Sequence, residues 1–225
     1  MIRPAAALLV LASLATACAA PTSAPRQPQA ETRRAPSAAR PVDPKQAERL
    51  QRVMVPLIRA ASNPRPLSQV RVGIVDDAHI NAASGGNGEF YVTRGLLEKA
   101  NDEQLAGVLA HEIAHDDLNH VAKAQALGAG LNIGMIILDQ LFPGSGAITP
   151  IAGQLIARKY SRDEEYAADR HGAEILRRAG LPPDIMLRTL TWLMNTSGAG
   201  GRSGFFSTHP ATTDRIDALR RLTQR

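Results

Sequence analysis

Cysteine is almost absent: of 225 residues only Cys18 carries a thiol. That excludes an intramolecular disulfide framework and any thiolate cluster for zinc or iron–sulfur, so a bound metal would have to be held by His, Asp and Glu. Aromatic residues are scarce at 4%, with one Trp, three Tyr and four Phe. The core must then come mainly from Ala, Leu, Ile and Val, a composition that favours helices. Basic runs are missing too. Lys and Arg outnumber Asp and Glu by 26 to 21, but they are scattered, without the block of five or six like charges that marks a nucleic-acid arm. No nucleic acid is expected among the partners. What is present, 44% hydrophobic and 21% charged, is a globular composition with enough length for one domain and a sizeable core.

The lone cysteine has an informative place. Arg3 is followed by a nearly apolar run, Ala5 to Leu14, and by the small residues Ala15, Thr16 and Ala17. Residues 1–17 read as a secretory signal peptide, too short to span a membrane as a permanent helix. With Cys18 next, the segment resembles a bacterial lipoprotein signal, in which the cysteine becomes the lipidated first residue of the mature chain; ordinary cleavage near Ala20 is the alternative. Ala19, where an acidic residue would retain a lipoprotein in the inner membrane, points to the outer membrane. The expected location is therefore the periplasm, with a lipid anchor at Cys18. Residues 18–43 are rich in Pro, Ala, Ser, Gln and Arg and cannot bury enough apolar surface to offset ordering entropy, so they read as a disordered tether.

The folded domain is expected over residues 44–225, with no internal repeat. Asp43-Pro44 opens a helix that ends near Asn63-Pro64. Val70, Val72 and Ile74 alternate as a strand, and the turn Gly85-Gly86-Asn87-Gly88 leads to a second strand, Glu89 to Thr93. Asn101-Asp102-Glu103-Gln104 forms a capping box for a helix carrying Leu105, Val108, Leu109 and Ile113. A long helix is predicted from Thr149-Pro150 to Arg178, a shorter one from Pro183 to Met194, a mobile Gly- and Ser-rich segment over 197–204, and a last helix from Pro210 to Leu222. Between Ala124 and Ala157 the only charge is Asp139. Asn132, Gln140 and Pro143-Gly144 interrupt that stretch, which reads as a buried or partner-facing hairpin in preference to a membrane-seeking one.

The chemistry concentrates in His111-Glu112-Ile113-Ala114-His115, an HExxH motif. Four residues turn a helix by about 400°, so the two imidazoles lie roughly 40° and about 6 Å apart, able to grip one ion. Glu112, beside the first ligand, can take a proton from water that the ion has acidified. Catalytic zinc uses three protein ligands and one open place, so a third ligand must come from elsewhere. His120 stands about 140° round the helix from His115 and reads as a surface or supporting residue. Within Asp163-Glu164-Glu165 and Asp169, the i,i+4 pair Glu165 and Asp169 shares a helix face: one can ligate while the other fixes a ligand histidine's tautomer.

These residues, with Tyr160-Ser161-Arg162-Asp163-Glu164-Glu165-Tyr166-Ala167-Ala168-Asp169-Arg170 and Ser207-Thr208-His209-Pro210, resemble the CAAX-endoprotease/HtpX-type zinc metallopeptidases, particularly their soluble bacterial envelope branch. The resemblance covers roughly Pro44 to Arg225. It implies a mostly helical α+β fold, a zincin-like domain with a small edge sheet beside the HExxH helix. One Zn(2+) per chain would sit on His111, His115 and Glu165, with Glu112 as general base and Asp169 behind a ligand histidine. His209 would be a latch over the open zinc position or else a helix-start residue, and His209 or Arg162 could assist the transition state. Glu89, Phe90, Tyr91, Val92 and Thr93 are expected as an edge strand that pairs with an extended substrate backbone.

The expected activity is that of a zinc-dependent endopeptidase acting on misfolded or unassembled envelope proteins. Two alternatives keep parts of the pattern: a chaperone-like factor that holds clients with little cleavage, and a metal-dependent hydrolase of a non-peptide amide. The sequence leaves the oligomeric state open.

Overall fold

The structure, a computed structural model, describes residues 41–121, 150–151, 159–197, 204–210 and 212–224. All of these belong to one unit, 36–225. Residues 1–40, which hold the segments read as a signal peptide and tether together with Cys18, the apolar stretch 124–157 apart from 150–151, and the segment 198–203 lie outside the described residues.

The domain is mostly helical with one small sheet. Helix α1 (Pro44–Arg59) starts where expected, because Asp43 accepts the Lys45 N–H at 2.9 Å and Pro44 sits in the first turn, where its missing N–H costs nothing. It buries Leu50, Met54, Leu57 and Ile58. The strands are β1 (Arg71–Val75), β2 (Ala82–Gly86), β3 (Glu89–Thr93) and a two-residue β4 (Pro150–Ile151), in the order β2-β3-β1-β4. Asn87 and Gly88 both take positive φ, 55° and 81°, the conformation of a tight hairpin turn, and fold β2 antiparallel onto β3. Strands β1 and β4 add in parallel.

This order corrects the reading of Glu89–Thr93 as an edge. Strand β3 has β2 on one side and β1 on the other, so its backbone groups are committed to two ladders and cannot receive a further chain. Among the described residues the strands at the ends of the sheet are β2 and the two-residue β4.

A short helix, α2 (Arg94–Lys99), follows β3 directly, capped by the Thr93 hydroxyl. Helix α3 (Asp102–Asp117) opens on the predicted Asn101/Gln104 capping box. The helix predicted from Thr149-Pro150 does not begin there: Pro150–Ile151 form β4, and α4 spans Arg162–Arg178. A second capping box sets that start, because Ser161 accepts the Glu164 N–H while the Glu164 carboxylate accepts the Ser161 N–H. Helices α5 (Ile185–Ser197) and α6 (Thr213–Thr223) follow, with a one-turn 3-10 helix, Phe205–Ser207, between them. Among the described residues no helix is long and apolar enough to cross a membrane.

Helix α3 is the axis of the domain. It packs against α1, β2, α4 and α5, and every residue from Leu105 to Asp116 is buried.

Candidate metal centre

A helix covered on all sides leaves its polar side chains no solvent, so His111, Glu112 and His115 must find partners inside the protein. The sequence spacing delivers His111 and His115 to the same side of α3, where their Nε2 atoms lie 3.1 Å apart. Helix α4 runs against this face and presents Glu165, whose carboxylate oxygens lie 3.6 Å from His111 Nε2 and 3.5 Å from His115 Nε2. The fourth group comes from the turn before α6. His209 places Nδ1 3.0 Å from Glu165 Oε1 and 3.3 Å from His111 Nε2. One ligand atom from each of His111, His115, Glu165 and His209 falls within 4.8 Å of the others, and all four residues are buried.

The surroundings hold these groups in place. The His209 ring stacks on Phe205, with centroids 4.3 Å apart, and on Tyr160 at 5.0 Å. Tyr160 also stacks on His115 at 3.7 Å. The backbone reinforces the stack, because Tyr160 N–H donates to Thr208 O and His209 N–H to Phe205 O. Glu112, 1% exposed, is fixed from the sheet side: its Oε2 accepts the Ser84 N–H of β2 at 2.8 Å. Its Oε1 lies 3.2 Å from His209 Nε2, without an aligned hydrogen bond between them.

Asp169, one turn after Glu165, places Oδ1 3.2 Å from His111 Nδ1. Behind both carboxylates stands Arg215 of α6, 1% exposed. It bonds Asp169 through Nη2 at 2.7 Å and Nε at 2.8 Å, and reaches Glu165 through Nη1 at 2.5 Å. Burial would raise the pKa of Glu165, but the charges of His209 and Arg215 outweigh it and hold the carboxyl well below its usual range. Asp169 is lowered too, with Arg215 again outweighing burial. Burial pulls His111 down, yet Asp169 and Glu165 overcome this and bring it up to about 9. His115 goes the other way, well below its usual value, through burial and the neighbouring His111 and His209, which outweigh Glu165.

The donor set fits a divalent cation. Two ring nitrogens 3.1 Å apart can share at most one proton, and the His209 Nε2 and Glu112 Oε1 atoms are buried without aligned partners. Imidazole nitrogens converging with a carboxylate oxygen are the ligand types zinc takes.

The structure therefore brings together His111, Glu112, His115, Glu165, Asp169 and His209. It does not bring in Arg162, whose side chain is exposed at the start of α4. The arginine against the site carboxylates is Arg215. It is not among the residues singled out from the sequence; the signal that could have found it is its position beside Ile216 and one turn before Leu219, both buried, which marks the inward stripe of α6. Tyr160, buried and stacked on two of the histidines, was likewise read only as part of a motif.

Comparison with known proteins agrees with this arrangement. The profile described as peptidase family M48 matches residues 44–223. A protein named protease HtpX homolog from Burkholderia thailandensis is 30% identical, over 83% of this chain and 78% of its own length. A second protein of that name, from Paenarthrobacter aurescens, is 29% identical over 84% of this chain and 77% of its own. With a family match over most of its length and a buried cluster of three histidines and a glutamate at its centre, this chain belongs to peptidase family M48, among the HtpX-type metallopeptidases.

Proposed function

We propose that this protein is a zinc-dependent endopeptidase that hydrolyses misfolded or unassembled proteins of the bacterial envelope. The observation that carries the reading is the convergence of His111, His115 and Glu165 beside Glu112, with all four buried. His111, His115 and Glu165 would hold the ion, which when bound supplies Lewis acidity that polarises the scissile carbonyl and acidifies water.

The chain's own residues account for the proton traffic and the positioning. Glu112 is the proton acceptor from water and returns the proton to the leaving amine. The Ser84 N–H fixes one of its oxygens and leaves Oε1 facing the cluster. Asp169 and Arg215 orient His111 and Glu165 from behind. His209 stands in the fourth place, against both Glu165 and Glu112, which supports its reading as a latch that holds the resting enzyme closed. Because β2 is the sheet edge nearest α3, an extended substrate would pair there, and pairing through backbone groups gives broad specificity toward unfolded chains. The N-terminal sequence supports a periplasmic location with a lipid anchor at Cys18. Fractionation of a Cys18→Ala variant tests the anchor, which fails if the variant still partitions with membranes.

Cleavage of an unstructured protein such as casein tests the activity. Wild-type protein is expected to cleave, to stop when a chelator is added, and to recover with zinc. Glu112→Gln should retain zinc and lose turnover by at least about 100-fold, the usual worth of a positioned acid–base group, while His209→Ala should raise it. Undiminished cleavage by Glu112→Gln would end the mechanism. Client binding with no cleavage by any variant would favour the chaperone-like alternative.

A further inference from the structure

On an uninterrupted helix His120 would stand about 140° round from His115. The structure breaks the helix first. Leu118 caps α3, and Asn119 takes φ 56°, in the left-handed region that Asn enters more readily than most residues. The reversal turns His120 back toward the helix end, where its Nδ1 lies 2.8 Å from His115 Nδ1. Both rings are buried, at 5% and 0% exposure.

A hydrogen bond between two imidazole nitrogens needs one N–H and one lone pair. His115 aims Nε2 into the cluster, at 3.1 Å from His111 Nε2 and 3.5 Å from Glu165 Oε1. To serve as a metal ligand, that nitrogen must present its lone pair, which leaves the proton on Nδ1. His120 Nδ1 is then the acceptor, and its own proton sits on Nε2. The Tyr160 ring, stacked on His115 at 3.7 Å, sets the plane in which this bond lies.

We infer that His120 is the positioning residue for His115: by accepting the Nδ1–H it fixes the tautomer and ring orientation that present Nε2 to the metal. The two ligand histidines are thereby backed differently, His111 by the carboxylate of Asp169 and His115 by a neutral imidazole. Support of this kind is worth about 10- to 100-fold in metal affinity. The inference rests on the metal-centre reading above.

The test compares full-length wild type with His120→Leu, which fills the space without an acceptor, and His120→Asn, whose side-chain carbonyl can accept. Zinc affinity is measured by competition with a chromogenic chelator, alongside the unfolding temperature of the metal-free proteins. His120→Leu should bind zinc about 10- to 100-fold more weakly with its metal-free unfolding little changed, and His120→Asn should recover most of the loss. Wild-type affinity in His120→Leu, or an Asn variant as weak as Leu, overturns the inference. Should the Leu variant fail to fold, nitrogen NMR of histidine-labelled, zinc-loaded wild type decides. His115 must carry its proton on Nδ1 and His120 on Nε2, and the opposite pattern overturns the role. Wild-type protein that takes up no zinc would instead overturn the metal reading itself.

Discussion

Arg215 is the residue on which the site's electrostatics turn. It is fully buried and neutralises Asp169 through two nitrogens while also meeting Glu165. A carboxylate pair this deep is tolerable only with its counter-charge in place, because removing one partner of a buried ion pair strands the other in a low dielectric. Arg215→Met is expected to destabilise the metal-free protein by about 3–5 kcal/mol in urea unfolding. Arg215→Lys should recover only part of this, since an ammonium cannot reproduce the two-pronged contact with Asp169. A loss below about 1 kcal/mol for the Met variant, the level of a surface pair, would mean that the two carboxylates are satisfied by other groups.

At the scale of elements, what matters is how closely α4 and α5 approach α3. Gly107 of α3 faces Thr189 of α5, where an added Cβ would fall 2.1 Å from the Thr189 hydroxyl oxygen and 2.7 Å from its Cβ. Gly172 of α4 faces the end of the Met186 side chain at 2.4 Å, with the Ala110 backbone at 3.3 Å. These gaps let α4 lie close enough for Glu165 to meet two histidines of α3. Gly107→Ala should cost about 1–3 kcal/mol through overpacking, because Thr189 is branched at the clashing atom and cannot withdraw. Gly172→Ala should cost less, since the flexible Met186 end can move aside. Thermal unfolding of the two variants checks the order, and equal losses would contradict it. The element order also explains the two misread segments. A proline after threonine suits a helix start, yet Pro150–Ile151 joins the sheet through pairing with β1, a long-range partner that local sequence does not encode. The Glu89–Thr93 strand looks like an edge until parallel β1 is found on its second side.

For the whole molecule, the cluster acts as a clasp between segments remote in sequence. His111 and His115 come from α3, Glu165 from α4, His209 from the turn after Phe205, and Arg215 from α6. An ion held by His111, His115 and Glu165, with Arg215 behind the carboxylates, binds the folded chain and not the unfolded one, so it stabilises by mass action, by about 4 kcal/mol at a free concentration 1,000 times Kd. For a domain of this size that corresponds to a rise of roughly 10 °C in unfolding temperature. Calorimetry of metal-free protein titrated with zinc should show the rise and its reversal by chelator. An unfolding temperature indifferent to both would exclude an ion joining these segments.

The HExxH spacing, the i,i+4 pair Glu165 and Asp169, the Asn101/Gln104 capping box and the Asn-Gly turn were legible in the sequence because each is a local pattern. Helical periodicity and cap chemistry reach no further than one or two turns, and within that reach they determine which side chains share a face. Tertiary structure decided everything that depends on which surfaces meet. It made β3 central and put β2 at an edge, exposed Arg162 and buried Arg215, and through the left-handed turn at Asn119 brought His120 onto His115. The physical reason is the covering of α3 on all sides: once a helix bearing two histidines and a glutamate is buried, every polar atom on it needs a partner, and only the packing of the other elements determines which residues those are.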